Sequence, residues 1–354
     1  MCAKRSLRDI GGKLRRRGLA LVCTIAVLAA ILVPLALTAQ EIHFFRIGTG
    51  STAGTYFPVG GIIASAISKP PGSRDCAAGG SCGVPGLIAV AQSTEGSVAN
   101  VTSIADGTLE SGLSQADVSY WAYKGEGIFK KSGAITKLRA IANLFPEAVH
   151  LVVRRDAGIE SVADLRGKRI SLDREGSGTR VDALLILKAY GLRLKDIKAE
   201  AWAAGAAVDL LREGELDGFF MVVGTPAAAV AELANDSLIR LIPIAGPKAD
   251  KLRKNYPFFS VDRIAAGTYL NVPVTETLSV GAQWLVSADV SEDLVYGITR
   301  ALWDPSTRRL LDNGHPKGRL INIDSALDGL AVPLHPGARR YYEEAGLDLP
   351  AKAE

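Results

Sequence analysis

Reactive side chains are scarce in this sequence. Its 354 residues include four cysteines, four histidines and two methionines. His43, His150, His315 and His335 are scattered, and no two have metal-ligand spacing, which argues against a resident metal. A cofactor fingerprint is lacking too. Gly48, Gly50 and Gly54 give GxGxxxG, but no ribose-binding acid follows about 20 residues later, where Lys69 and a Pro/Gly-rich stretch begin. Gly79, Ser81 and Gly83 match GxSxG, yet RDCAAG precedes them and VPG follows, where a nucleophile elbow needs a strand and a helix. No cofactor is expected. An enzyme whose groups converge only in space stays open, because local motifs do not report such sites.

The balance of charge is also informative. Of 41 basic and 37 acidic residues, seven and one lie in residues 1–40, leaving 34 and 36, so the body carries −2. The basic character therefore belongs to the front of the chain and does not make the body a nucleic-acid binder. That front has a basic run, then the uncharged stretch Leu19 to Leu37, then Thr38, Ala39 and Gln40. The layout is that of a signal peptide, although the stretch approaches the roughly 20 residues that span a bilayer. Residues 1–40 are read as a signal peptide or a retained membrane anchor, and the rest as exported to the periplasm. No second apolar run is long enough to cross a membrane. In an oxidising compartment, Cys76 and Cys82 of the CAAGGSC loop read as a local disulfide, with two free thiols as the alternative.

Strand-like and helix-like patterns alternate along the body, which argues for an α/β fold. HFFRIGTG is a strand ending in a glycine turn, with a helix following in PVGGIIASAIS. KLRAIANLFPEAVHLVVRR contains two strand candidates. TRVDALLILKAYGL and EDLVYGITRALWD read as helices, LSVGAQWLVSADV as a strand, and the Gly- and Pro-rich segment 69–92 as a surface loop. Two segments echo each other: IGTGSTAGT (47–55) and SLDREGSGT (171–179) each set a Gly/Ser/Thr turn between a strand and a helix. Backbone N–H groups and hydroxyls at such helix N-termini suit an anionic group, although ordinary helix capping accounts for either turn alone. Tyr56, directly after the first turn, is placed to form a wall of that site. Tyr120, Trp121 and Tyr123 read as packing aromatics, and His150 as a core or hinge histidine.

IGTGSTAGTYFPVGG, STEGSVANV, LSQADVSYWAY, EGSGTR and FFMVVGTPAAAV, in that order, resemble the TAXI family of solute-binding proteins of TRAP-type transporters. The resemblance runs from about Phe44 to Trp303. It implies a two-lobed type II periplasmic-binding-protein fold with a ligand cleft between the lobes. Lobe 1 would comprise 41–148 and 276–354, and lobe 2 residues 149–275. It also implies a monomeric receptor without enzymatic activity. That receptor would pass a small anionic solute, glutamate, glutamine or a related dicarboxylate, to an ion-gradient-driven TRAP permease. The ligand-binding residues it carries over are Ser51, Gly54, Thr55, Tyr56, Ser97, Val98, Gln115, Asp117, Ser177, Gly178, Thr179 and Thr225. Arg180 joins them for a charge-assisted contact, a helix-surface arginine being the plain alternative. Glu95 stands where the family commonly has glycine, and segment 69–92 is longer than the family pattern and is placed to cover the cleft mouth. A binding protein for an ATP-driven importer and an exported hydrolase are the competing readings.

Overall fold

The computed structural model describes residues 41–349. The targeting reading of residues 1–40 lies outside the described residues. Among the described residues, no helix is long and apolar enough to cross a membrane.

The strands in chain order are β1 (His43–Gly48), β2 (Ser68–Lys69), β3 (Val84–Pro85), β4 (Leu87–Gln92), β5 (Ser111–Gln115), β6 (Leu138–Arg154) and β7 (Arg169–Ser171). They continue as β8 (Lys198–Glu200), β9 (Gly218–Val223), β10 (Ile239–Leu241), β11 (Ser260–Ile264) and β12 (Thr275–Ser287). The helices are α1 (Tyr56–Ile67), α2 (Ser97–Ala105), α3 (Ala116–Lys124), α4 (Gly178–Ala189), α5 (Ala204–Arg212), α6 (Ala228–Asn235) and α7 (Gly246–Asn255). Three more close the chain, α8 (Glu292–Leu302), α9 (Pro305–Gly314) and α10 (Pro336–Glu344). Short 3-10 turns lie between them.

One sheet runs in the order β4-β1-β5-β12-β6-β9-β7-β8, with β10 on β6 and β11 on β12. Its two ends are parallel, β4 and β5 flanking β1 and β9 and β8 flanking β7. Such ends, built from strand–helix–strand units, are covered by helices on both faces. The middle is antiparallel and rests on two long strands, β6 of 17 residues and β12 of 13. β6 pairs with β12 over Leu138–Ala148 and with β9 over Ala148–Val153, so one strand serves both halves of the sheet.

The core divides accordingly. Phe45, Ile47, Leu113, Phe145, Trp284 and Tyr342 belong to the first half. In the second half, strand alternation splits the apolar residues between two faces. Leu151, Val153, Phe220 and Val222 pack towards α4, and Val152, Phe219, Met221 and Val223 towards α5 and α6. The two halves are lobes of an α/β fold, and β6 and β12 cross between them. At the start of β12, Leu278 and Val280 pack with the second lobe, while Ala282 onwards packs with the first.

Two sequence expectations are corrected. KLRAIANLFPEAVHLVVRR forms one continuous strand and not two. Pro146, which has no N–H to donate, sits opposite Gly281, at the point where β6 changes neighbours. Segment 69–92 is not all loop, because LIAVAQ forms β4, in parallel register with every residue of β1. The remaining loop carries a disulfide between Cys76 and Cys82, with sulfurs 1.97 Å apart. Trp121 packs edge-on against Tyr256 and Phe258, and Tyr120 packs on Phe258. His150 is buried, with hydrogen bonds to the Ala148 carbonyl and the Tyr269 hydroxyl, both 2.9 Å. Burial pulls its imidazole down to about 4, so it is neutral at physiological pH.

Candidate functional site

The strand ends of both lobes open onto a small cavity of about 60 Å³, lined from both sides. The first lobe contributes Ser51, Gly54, Thr55, Tyr56, Glu95, Gly96, Ser97 and Gln115, and the second Asp173, Ser177, Gly178, Thr179, Ala204, Met221 and Val222. Glu147, in the middle of the crossing strand β6, lies between them.

The first residues of α1, α2, α4 and α5 are Tyr56, Ser97, Gly178 and Ala204, and all four line the cavity. Gln115, the residue before α3, lines it as well. Five helix N-termini therefore converge. Each helix leaves its first N–H groups without intrahelical acceptors and carries a partial positive charge at that end. Side-chain caps are largely missing: α1, α2, α3 and α5 have none, and only Ser177 caps its own helix, accepting from the Arg180 N–H at 3.0 Å.

The hydroxyls and amides fix the loops. Asn100 Nδ2 donates to the Thr49 and Leu113 carbonyls, both at 2.7 Å, and Thr94 Oγ1 donates to Asn100 Oδ1 at 2.7 Å. These bonds tie the STEGS loop to the first glycine turn. Ser97 Oγ accepts from the Gln115 N–H at 3.1 Å, and Thr179 Oγ1 from the Val222 N–H at 3.0 Å. Contacts also cross the cleft. Thr55 Oγ1 donates to the Gly224 carbonyl at 3.3 Å, the Ala99 N–H to the Gly176 carbonyl at 3.0 Å, and Arg174 pairs with Glu95 at 2.8 Å. A Cβ on Gly178 would lie 1.5 Å from Gln115 Oε1, so any larger residue would displace the Gln115 amide from this approach of the lobes.

The ionisable groups in the wall are all acids: Glu95, Glu147 and Asp173, with no lysine, arginine or histidine among the lining residues. Tyr56 donates its hydroxyl to Glu147 Oε2 at 2.6 Å. Burial pushes the Glu147 carboxyl up to about 8, outweighing the hydrogen bond from Tyr56 and the nearby Lys317 ammonium, which act the other way. Glu147 is thus protonated at neutral pH and can donate as well as accept. Burial raises Asp173 to about 6.

The cavity brings together nine of the residues carried over from the resemblance: Ser51, Gly54, Thr55, Tyr56, Ser97, Gln115, Ser177, Gly178 and Thr179. Four others do not line it. Val98 packs against the first-lobe core, since the second residue of α2 turns inward. Asp117 is fully buried beneath the cavity on α3. The Arg180 guanidinium turns to the Asp173 carbonyl at 3.5 Å. Thr225 precedes a cis proline one residue beyond Gly224, whose carbonyl makes the cross-cleft contact. The 69–92 segment contributes no lining residue, so it does not cover this cavity. Gly50, Gly96, Glu147, Asp173, Ala204, Met221 and Val222 were not expected here. The signal for Glu147 was a lone acid within the apolar run NLFPEAVHLVV, and Asp173 lay inside the second Gly/Ser/Thr turn.

A model of the NMT1-like family matches residues 47–346, and the chain belongs to that family. Among solved structures, MatC from Rhodopseudomonas palustris with bound malate is similar at 13% identity and a TM-score of 0.50. That match covers 87% of this chain and 97% of the other. A protein from Bordetella bronchiseptica is similar at 15% identity and a TM-score of 0.50, covering 89% and 92%. The alkanesulfonate-binding protein SsuA from Xanthomonas axonopodis pv. citri, bound to MOPS, gives 17% identity and a TM-score of 0.45, covering 86% and 85%. The fold is the two-lobed α/β fold of type II periplasmic binding proteins.

Proposed function

We propose that this protein is an extracytoplasmic solute receptor that encloses a small carboxylate ligand between its lobes and delivers it to a membrane permease. The observation that carries this reading is the convergence of five helix N-termini, four of them without a side-chain cap, on one cavity shared by both lobes. Backbone donors of that kind bind carboxylate oxygens without a fixed counter-charge. Contacts from both sides give the ligand differential affinity for the closed form, which is what closure requires. The lobes we propose are 41–148 with 276–354, and 149–275; the grouping of core residues supports this except where the lobes meet, at Ala116, Ala148, Val181 and the start of β12.

Within the carboxylates, glutamate or glutamine fits better than a plain dicarboxylate. An amino acid brings an ammonium group to a wall whose ionisable side chains are all acids, with Gln115 Oε1 left as a further acceptor. The partner is a TRAP-type permease, supported by the motifs of the TAXI resemblance, and the compartment is the periplasm, supported by the layout of residues 1–40. The test is calorimetry and thermal shift with amino acids and dicarboxylic acids, since a ligand that binds only the folded form raises its melting midpoint. Stoichiometric binding of an amino acid without turnover supports the reading. Turnover of the bound compound, or binding of none of the panel, sinks it.

A further inference from the structure

Beneath the cavity two acids meet where the lobes join. Asp117 lies in the first turn of α3, whose Val118, Trp121 and Ala122 pack in the first-lobe core. Asp182 lies on α4, whose Ala183, Ile186 and Leu187 pack in the second-lobe core. Both are fully buried. The two carboxyl groups are within hydrogen-bonding reach of each other. Neither Asp117 oxygen nor Asp182 Oδ1 has a well-aligned donor, although the Asp117 and Val118 N–H groups lie near the Asp117 carboxyl, while Asp182 Oδ2 accepts from Gln115 Nε2 at 3.2 Å. A buried carboxylate facing a second carboxylate is strongly disfavoured, whereas a carboxylic acid donating to a carboxylate satisfies both groups. We propose that Asp117 and Asp182 form a one-proton latch between the lobes: closure takes up a proton into this pair, and opening releases it. The proposal rests on the two-lobed receptor reading and concerns the empty protein.

No positive charge among the described residues is paired with these two acids, and the only donors beside them are the Gln115 amide and the first N–H groups of α3. Glu147 on β6 and Tyr56 on α1 are the titratable neighbours: Tyr56 is neutral and supplies no positive charge, and Glu147, wherever it ionises, adds to the cost of a charge on Asp182. The buried Lys317 acts on Glu147 and on Asp262 of β11. Arg180, on α4 itself, is turned to Asp173. On α7, packed against α4, Asp250 pairs with Arg253 and Lys248 reaches the Tyr190 carbonyl. Burial holds the Asp117 carboxyl above its ordinary range against the hydrogen bond from Asp182, and burial together with the Asp117 charge holds Asp182 well above its own. In the open form water restores ordinary carboxylates near 4, so over a range above that value the closed protein holds a proton that the open form has released. The closed-to-open ratio therefore falls by about tenfold per pH unit for this one proton. Gln115, which lines the cavity and donates to Asp182, connects the latch to the ligand.

The test uses ligand-free full-length protein, so its outcome is independent of which solute binds. Thr52 and Ala206 are exposed on the two sides of the cavity, where Gly205 lies beside Ala53. Spin labels at Thr52→Cys and Ala206→Cys, with Cys2 and Cys23 changed to serine, report lobe separation from pH 6 to 9. In wild type the short-distance fraction is expected to fall as pH rises. Asp182→Asn lets an amide donate to Asp117 and needs no proton, so the pH dependence should lessen by about tenfold per pH unit. Asp117→Asn should do the same and covers failure of the first variant to fold, checked by circular dichroism. Glu147→Gln removes only the contribution of Glu147 and leaves that of the pair. A wild-type distance distribution unchanged across this range overturns the latch, as does a slope that survives both asparagine substitutions.

Discussion

The two Gly/Ser/Thr turns look alike in sequence and are used differently. In the second, Ser177 adopts extended backbone and caps its own helix, so that terminus is partly satisfied from within. In the first, Thr55 sits in a helical conformation, makes no cap for α1, and directs its hydroxyl across the cleft to the Gly224 carbonyl. One turn stabilises its own lobe, while the other spends its side chain on joining the lobes and leaves its helix N-terminus for a ligand. The difference shows that a cap-forming residue type does not say whether it caps: the backbone angle at that residue decides.

The sharpest way to break this comparison is Gly178→Ala, which sets a methyl group against Gln115 Oε1. Overpacking at such a contact costs roughly 1–3 kcal/mol. Calorimetry should therefore show ligand affinity weakened by roughly ten- to a hundredfold, with little change in the melting midpoint of the empty protein.

Tyr56→Phe removes the hydrogen bond to Glu147 and leaves a buried carboxyl without its donor, at a cost of about 1–3 kcal/mol. The same pair predicts a pH effect. The folded-state pKa of Glu147, about 8, is raised above the ordinary carboxyl value near 4.5. Its contribution to stability is then fully present below about 4.5 and is lost as pH rises towards 8. Denaturant titrations from pH 5 to 9 should show this decline, and Glu147→Gln should flatten it.

The two turns are separated directly by Ser177→Ala and Thr55→Val. Loss of the cap should lower stability by about 1 kcal/mol, read as a lower melting midpoint with affinity nearly unchanged. Loss of the Thr55 bond should weaken ligand binding by about 0.5–1.5 kcal/mol while sparing the melting midpoint. If both variants change the same quantity, the proposed division of labour fails. The smallest effect is expected for Arg174→Ala, because a half-exposed pair with Glu95 contributes at most about 1 kcal/mol and is screened by salt. Affinity measured at high salt should not distinguish it from wild type.

Much of the fold was legible because its signals are local. Short apolar runs marked β1 and β12, helical spacing marked α4 and α8, and the repeated turn picked out both sides of the cavity. LIAVAQ in β4 was hidden by the Pro- and Gly-rich residues around it, and the length of β6 by Pro146, which reads as a break unless its partner is known to be Gly281. Asp117 was placed in the ligand shell, beside Gln115, by the family resemblance of LSQADVSYWAY; the first turn of a helix carries the two side chains in different directions.

By itself the sequence determined the strand–turn–helix units, the slightly acidic body behind the basic residues 1–40, and the helix N-termini able to hold an anion, since each depends on neighbours in the chain. Only the tertiary structure decided that Glu147 lies against Tyr56 and that Asp117 meets Asp182, 65 residues further along the chain. Such meetings depend on how β6 and β12 carry one lobe against the other, and the cost of a buried charge is set by what packing brings beside it.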